Sequence, residues 1–391
     1  MDTFIKKQLN VIETDAQDKI DKEKYEKYSY IFDIMLKFLK TRKDILLYGG
    51  TAINEVLPKN SKIYGELELP DIDVFTYNYE DLINDILKYF KTQHKEIKYV
   101  SATIAIHEGT YKLYAEGLQI LDITEYPREV FDLFYKNRIK KTPLGIPVVD
   151  IKYLKFSLHL LSSQSYDSHR WNKVLNRTKL LYKHYPAKIQ KRVDWSTFII
   201  PDLPNDVNDC IQKLVKNNGL MSFGADYFVN YIYKPKTIEG DYLKYYVYDD
   251  DLNNLVSSIK NKNIKVIKNK GDSFVPSYLE LIYNNTHIAY IFHSENCSSY
   301  YNKNKSEKLF TLHSVISWLY KLYFSSQGTF NELLPVINKL SKISVDNINN
   351  KSKFKELYSS ECYGHQEGLV TLRRKRLQRK KSLVNKNIYT K

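Results

Sequence analysis

Along residues 1–43 the apolar side chains fall three and four apart. Tyr28, Ile31, Phe32, Met35, Leu36 and Leu39 form one stripe, and Lys and Glu fill the opposite face. This predicts a long supporting helix. The period changes at residue 44. Ile45 to Tyr48 reads as a short apolar strand, broken by Gly49 and Gly50. Thr51 to Leu57 then reads as one or two helical turns with Thr51 as N-cap, stopped by Pro58. After the polar stretch from Pro58 to Pro70, residues 71–75 alternate as a strand does. Residues 80–91 predict an amphipathic helix through Leu82, Ile83, Ile86, Leu87 and Phe90. Strands are expected at 97–106, 110–115 and 117–124.

Further along, Pro143, Gly145 and Pro147 punctuate a loop, and Asp150 is placed to cap a helix running to about Leu161. Gln164 to Ser168 breaks it, and a second helix is expected from His169 to Tyr185. Pro201 and Pro204 mark a boundary. Beyond it, Tyr-rich strand patterns (Tyr242 to Tyr248, Tyr278 to Tyr283, His287 to Phe292) alternate with helical ones (Leu252 to Ile259, Thr311 to Phe324). Residues 330–358 read as helical again. No repeat of solenoid period is present, although two successive α/β segments are compatible with an ancient duplication.

Composition narrows the class. The 391 residues are 43% hydrophobic and 27% charged, an ordinary globular balance over a length suited to two or three domains. No run of ~18 apolar residues is long enough to span a bilayer, and the first residues lack the apolar core of a secretory signal. Cys210, Cys297 and Cys362 are odd in number and far apart, which offers no disulfide framework or zinc spacing and favours a reducing compartment. The formal charge of +15 is uneven, because residues 371–391 hold nine Lys/Arg and no acid. Such a basic arm suits a phosphate backbone, where released counterions help drive binding.

The chemistry concentrates around Asp71 and Asp73. Two carboxylates two residues apart on a strand project from one face and repel unless a cation lies between them. Divalent ions bound there would align an attacking oxygen with a phosphate and stabilise the leaving oxygen. Asp-x-Asp alone is weak evidence, and Asp249 to Asp251 is a second instance. Context strengthens the first. Upstream, a strand runs through Gly49 and Gly50 into a helix start, where backbone can approach a triphosphate and unpaired N–H groups can face it. Downstream, Asp122 stands between Leu121 and Ile123, a costly place for a carboxylate without a site or a cation. Glu116 and Glu125 are the lower-ranked rivals for a third acid.

The run Leu-Tyr-Gly-Gly-Thr-Ala-Ile-Asn (47–54), followed by Leu-Pro-Asp-Ile-Asp-Val-Phe (69–75) and Leu-Asp-Ile (121–123), resembles the nucleotidyltransferase core shared with DNA polymerase beta. More closely, it resembles the poly(A) polymerase catalytic subunits of large cytoplasmic DNA viruses (the poxvirus, asfarvirus and giant-virus group). Leu144 to Val149 with Lys152 and Lys155, the segment His169 to Val174 with Arg177, and Glu361 to Gly364 extend the likeness. The gap between Gly50 and Asp71 is longer than the common superfamily pattern.

The resemblance implies an α/β (α+β) fold: a polymerase-beta-type core with flanking helices and a second, degenerate nucleotidyltransferase-like α/β domain. The expected division is an N-terminal helical segment (1–43), a catalytic domain with a helical extension (44–200), a C-terminal α/β domain (201–370) and a basic tail (371–391). It implies Asp71, Asp73 and Asp122 as catalytic ligands of Mg²⁺ or Mn²⁺, and Gly49, Gly50 and Thr51 as the phosphate loop.

Lys152, Lys155 and His159, and then Arg170, Lys173 and Arg177, fall at shared-face helical spacing. They form two cationic stripes that suit a triphosphate, with Lys152, Lys155, Arg170 and Lys173 as its binding candidates. The nine histidines show no pair at ligand spacing, so neutral packing or surface roles are their expectation. The leading reading is template-independent transfer of AMP from ATP to an RNA 3′ end with release of pyrophosphate. The rivals are a uridylyl, CCA-adding or small-molecule nucleotidylating transferase, and a non-catalytic RNA-binding scaffold. Expected partners are ATP and single-stranded RNA, no membrane, and either a second copy or a processivity subunit. The viral likeness implies the host cytoplasm, with packaging in the virion.

Overall fold

Short apolar runs pair here into two five-stranded sheets of identical strand order. The computed structural model describes residues 2–189, 198–224, 240–303, 308–325, 333–350, 354–365 and 367–384. Its contacts group the chain into two compact units, Met1–Leu154 with Glu367–Lys391, and Lys155–Gln366. The punctuation at Pro201 and Pro204 therefore lies within the second unit.

The first unit opens with α1 (Asp2–Lys40). Its apolar stripe is buried only over the C-terminal part, where Ile31, Met35 and Leu39 are each fully enclosed, while Leu9 and Ile12 face solvent. Full burial of such side chains contributes about 1.5–3 kcal/mol each, which holds this end of the helix. The sheet consists of β1 (Leu46–Tyr48), β2 (Asp73–Thr76), β3 (Val100–Ile104), β4 (Thr110–Ala115) and β5 (Leu118–Glu125), in the order β1-β2-β5-β4-β3. Its central pair β2–β5 is parallel, and its other neighbours are antiparallel. Helix α2 (Gly49–Val56) follows β1, and α3 (Tyr79–Gln93) joins β2 to β3. Asn78 caps α3 by accepting from the Asp81 amide at 3.1 Å. Two further helices are α4 (Arg128–Lys136) and α5 (Ile151–Ser162), the latter started as expected by Asp150, whose carboxylate accepts from the Lys152 amide at 3.1 Å. Between them, residues 147–149 lie along β1.

Two local expectations change. Helix α2 begins at Gly49 and not at Thr51; Tyr48 is the N-cap residue, with no side-chain cap bond. The Thr51 hydroxyl is used instead to donate to the Asp71 carbonyl at 2.5 Å. Asp71 stands just ahead of β2, although the Asp122 amide still donates to the Ile72 carbonyl at 2.8 Å and continues the pairing.

In the second unit, a 3₁₀ turn at Ser165–Arg170 leads into α6 (Trp171–His184). Arg170 and His169 thus precede the helix in which sequence periodicity had placed them. The pair β6 (Ile199–Ile200) and β8 (Asp241–Tyr242), α7 (Asn205–Asn218) and β7 (Met221–Ser222) precede the strands β9 (Lys244–Tyr248), β10 (Ile264–Asn269), β11 (Tyr278–Tyr283) and β12 (Thr286–His293). The order β7-β9-β12-β11-β10 repeats that of the first sheet, including a parallel central pair, β9–β12. Val207, Ile211 and Leu214 of α7 share a core with Tyr246, Leu279, Leu281 and Ile291 of the sheet. The helix Leu312–Phe324 supplies Trp318, whose ring lies 5.3 Å from that of Phe223 and 5.8 Å from that of Phe292.

The strands β13 (Ser298–Asn302), β14 (Lys308–Phe310) and β15 (Cys362–Tyr363) form a smaller sheet. Pairing of β13 with β15 brings Cys297 to Cys362 in a disulfide of 2.05 Å. This corrects the reading of unpaired thiols. The partners are 65 residues apart, and only strand register brings them together, so cysteine usage lends no support to a reducing setting.

The basic tail is also ordered over its described part, as the helix Leu369–Val384 within the first unit. Lys386 and Lys391 lie outside the described residues. Among the described residues, no helix is long and apolar enough to cross a membrane.

Candidate active site

The end of β1 makes a turn that only glycine can make. Gly49 has φ +66°, and a Cβ there would lie 2.3 Å from Asp73 Oδ2. The missing side chain lets the start of α2 sit directly against that carboxylate. Asp73 is the first residue of β2 and stands in register with Asp122 on the parallel neighbour β5. Strands about 4.8 Å apart place such side chains next to each other on one face. Asp71 precedes them, its backbone pinned by Thr51 and its charge felt by Asp122. The structure thus sets Asp73 against the glycine turn, with Asp122 in register beside it and Asp71 within electrostatic reach of Asp122. Glu125 is three residues beyond Asp122 and so points to the opposite face. Glu116 occupies a left-handed turn, where its carboxylate accepts from the Lys98 and Tyr99 amides.

Asp122 also has partners that the sequence concealed. Lys112, in register on β4, places its ammonium 3.0 and 3.3 Å from the two carboxylate oxygens. Gln119 donates to the same carboxylate at 2.8 Å and accepts from Lys112 at 2.8 Å. Burial pushes the Asp122 carboxyl above its ordinary range, Lys112 opposes the shift, and the nearby Asp71 charge adds to it. Tyr48 stands beside the site, in register with Asp73. Its ring stacks 3.8 Å from that of Phe75, and its hydroxyl pairs with Thr124 at 2.8 Å. Burial, with Asp73 adding, holds that hydroxyl well above its usual pKa.

Among the described residues no three His, Cys, Asp or Glu side chains already converge as a metal cage. The donor chemistry nevertheless fits a hard divalent cation. It consists of carboxylate oxygens from two adjacent strands and a preceding loop, one of them partly desolvated, beside a backbone cradle that a Cβ would fill.

The proposed phosphate-facing cations fare differently. Lys152 ion-pairs with Asp150 at 3.1 Å. Lys155 is buried in the second unit with its ammonium 4.5 Å above the Tyr182 ring. Arg170 and Lys173 are exposed in that unit. His159 corrects the expectation of a cationic stripe through Lys152, Lys155 and His159. It is fully buried, its Nδ1 2.8 Å from His313 Nδ1 and its Nε2 2.8 Å from the Tyr182 hydroxyl. Burial drives both imidazoles down, His313 to about 3, so they are neutral packing groups.

Residues 33–168 match the family model described as poly(A) polymerase catalytic subunit. Putative poly(A) polymerase catalytic subunits from two African swine fever virus isolates, one from tick and one from warthog, are each 32% identical over 178 residues. That alignment covers 41% of this chain and 35% of each relative, so the chain spans about a third of the length of the curated relatives it matches. The crystal structure of the Megavirus polyadenylate synthase superposes with a TM-score of 0.74 at 17% identity, covering 97% of this chain and 83% of that one. By sequence across the segment that holds the three aspartates, and by fold over nearly its whole length, the chain is similar to the poly(A) polymerase catalytic subunits of large DNA viruses.

Proposed function

We propose that this chain is a template-independent polynucleotide adenylyltransferase that adds AMP from ATP to RNA 3′ ends and releases pyrophosphate. The observation that carries the reading is the Gly49 turn packed on Asp73, with Asp122 in register beside it. Asp71, Asp73 and Asp122 would hold Mg²⁺ or Mn²⁺, which when bound supplies charge neutralisation at the phosphates and activation of the 3′ hydroxyl. Asp122 would accept the hydroxyl proton. The amides of Gly50 and Thr51 open α2 at the turn and suit the β- and γ-phosphates. Lys112 and Gln119 hold the Asp122 carboxylate in one orientation. In-line transfer requires positioning and charge stabilisation, with no covalent enzyme intermediate.

The test is ATP incorporation on an oligo(A) primer by the full chain and by the Asp71→Ala/Asp73→Ala variant. Tailing should disappear in the variant. Undiminished tailing rejects the site. Each of the four nucleoside triphosphates is offered separately, and ATP should be preferred; a preference for UTP or CTP moves the assignment to another terminal transferase.

A further inference from the structure

The C-terminal helix Leu369–Val384 is anchored as well as basic. Arg376 Nε donates to the Ile104 carbonyl at 2.7 Å, and Arg379 Nη2 donates to the Ile106 carbonyl at 2.8 Å. These carbonyls belong to the end of β3 and the loop beyond it, at the open edge of the first sheet. Positions 372, 376 and 379 share one helix face, so the two arginines fasten that face to the sheet edge. Lys375 is held by Glu367 at 2.5 Å. Arg373, Arg374 and Lys380 lie off the docked face and are exposed, with Leu377, 60% exposed, between them. No acidic residue occurs from 371 to 391.

This differs from a solvated charge run on a free arm. The cations stand on a rigid helix and on the same unit as the carboxylates. The sheet edge that anchors the helix is also close to the carboxylates. Asp122, Lys112 and Thr103 form one cross-strand row over β5, β4 and β3, so the edge to which the helix is fastened lies two strand spacings, about 10 Å, from Asp122.

We infer that the outer face of this helix, through Arg373, Arg374 and Lys380, binds the phosphate backbone of single-stranded RNA upstream of its 3′ end. The inference rests on the adenylyltransferase reading for the direction of the strand, and on the charge of the helix for its occupant. Exposed cations on a fixed scaffold bind phosphates by releasing counterions and give no base preference, whereas the exposed leucine offers an apolar surface to an unstacked base.

The experiment measures binding of the full chain to fluorescent 20-nucleotide oligo(A) and oligo(U) by anisotropy over a range of salt, with EDTA and without ATP. The Arg373→Gln/Arg374→Gln/Lys380→Gln variant should bind both oligonucleotides at least about ten-fold more weakly, and the slope of log affinity against log salt should shrink by about 2 for three lost phosphate contacts. The corresponding triple Glu variant should bind more weakly still. Arg376 and Arg379 are retained in both, so an unchanged melting temperature is expected. Unchanged affinity and slope in the Gln variant would overturn the inference. So would tighter capture of a poly-glutamate peptide than of RNA by the unaltered chain, which would make the occupant an acidic protein. Transfer from ATP to a trinucleotide primer is the separate readout. If no transfer occurs while oligonucleotide binding depends on these cations, the functional reading fails and the RNA surface stands.

Discussion

The two five-stranded sheets have one design and opposite chemistry. Both place a parallel pair at the second and third positions, and both carry a register shift at the same place, between Leu113 and Tyr114 in one and between Leu281 and Ile282 in the other. Matching the registers aligns the row Tyr48, Asp73, Asp122, Lys112 with the row Phe223, Tyr245, Tyr290, Glu280. Gly49 then corresponds to Gly224, where a Cβ would meet the Tyr245 amide nitrogen at 2.7 Å. The glycine is kept in both sheets because the turn crosses so close to the next strand. The acids are present in only one. In the second sheet their places hold two buried rings, stacked at 5.7 Å, and Phe223 lies between this pair and Trp318 of the helix Leu312–Phe324. Stacked rings contribute about 0.5–1.5 kcal/mol beyond their burial. The same scaffold thus serves packing in one unit and exposes carboxylates in the other. The glycine is common to both sheets, and the acids beside it belong to only one of them.

Equivalent positions in the two sheets should respond differently to substitution. Asp122→Asn should lower nucleotide incorporation by about 10²–10³-fold, the scale of a lost charge-stabilising group. Tyr290→Phe, at the matching place, should leave it within about two-fold. Equal losses in primer-extension rates would show that the second sheet also takes part in the chemistry.

Acid should distinguish the units next. His313 binds a proton near pH 3 when folded and, like any exposed imidazole, near pH 6.5 when unfolded, and His159 is shifted the same way. Between these values the unfolded chain holds more protons. Stability is therefore complete above about pH 6.5 and falls toward pH 3, by up to about 1.4 kcal/mol per pH unit for each histidine. Urea titrations from pH 7 to 4.5 should show the second unit losing stability first, and a pH-independent midpoint would contradict the buried neutral pair.

The smallest effect concerns the two glycines. Gly49→Ala must adopt a positive φ against Asp73, and Gly224→Ala must displace the Tyr245 backbone. Each should cost about 1–3 kcal/mol by thermal or chemical unfolding. Only Gly49→Ala should also slow transfer in the surviving folded fraction.

Much of the first sheet was legible in the chain. The alternation at 110–115 coincides with β4, the run at 117–124 nearly coincides with β5, and the helix from Tyr79 was placed within a residue or two. Asp122 was conspicuous because an acid amid Leu and Ile demands a reason. What escaped depends on register and long-range contact. Lys112 looks like any strand lysine until the β4–β5 pairing sets it across from Asp122. His159 matches the period of a cationic face, but the face it occupies is buried against His313, 154 residues away. Thr51 has the side chain of an N-cap, yet Gly49 can turn the chain two residues earlier. The disulfide was hidden for the same reason as Lys112.

The ammonium that rests on Asp122 has a consequence for how the cluster of acids is tolerated. A cluster of acids with no cation beside it is usually a source of strain. Here a resident counter-ion, built into the neighbouring strand, already neutralises one of them. One acid of the cluster is therefore oriented in advance by the pairing of the strands themselves, and a cation bound there would have to share it with a lysine.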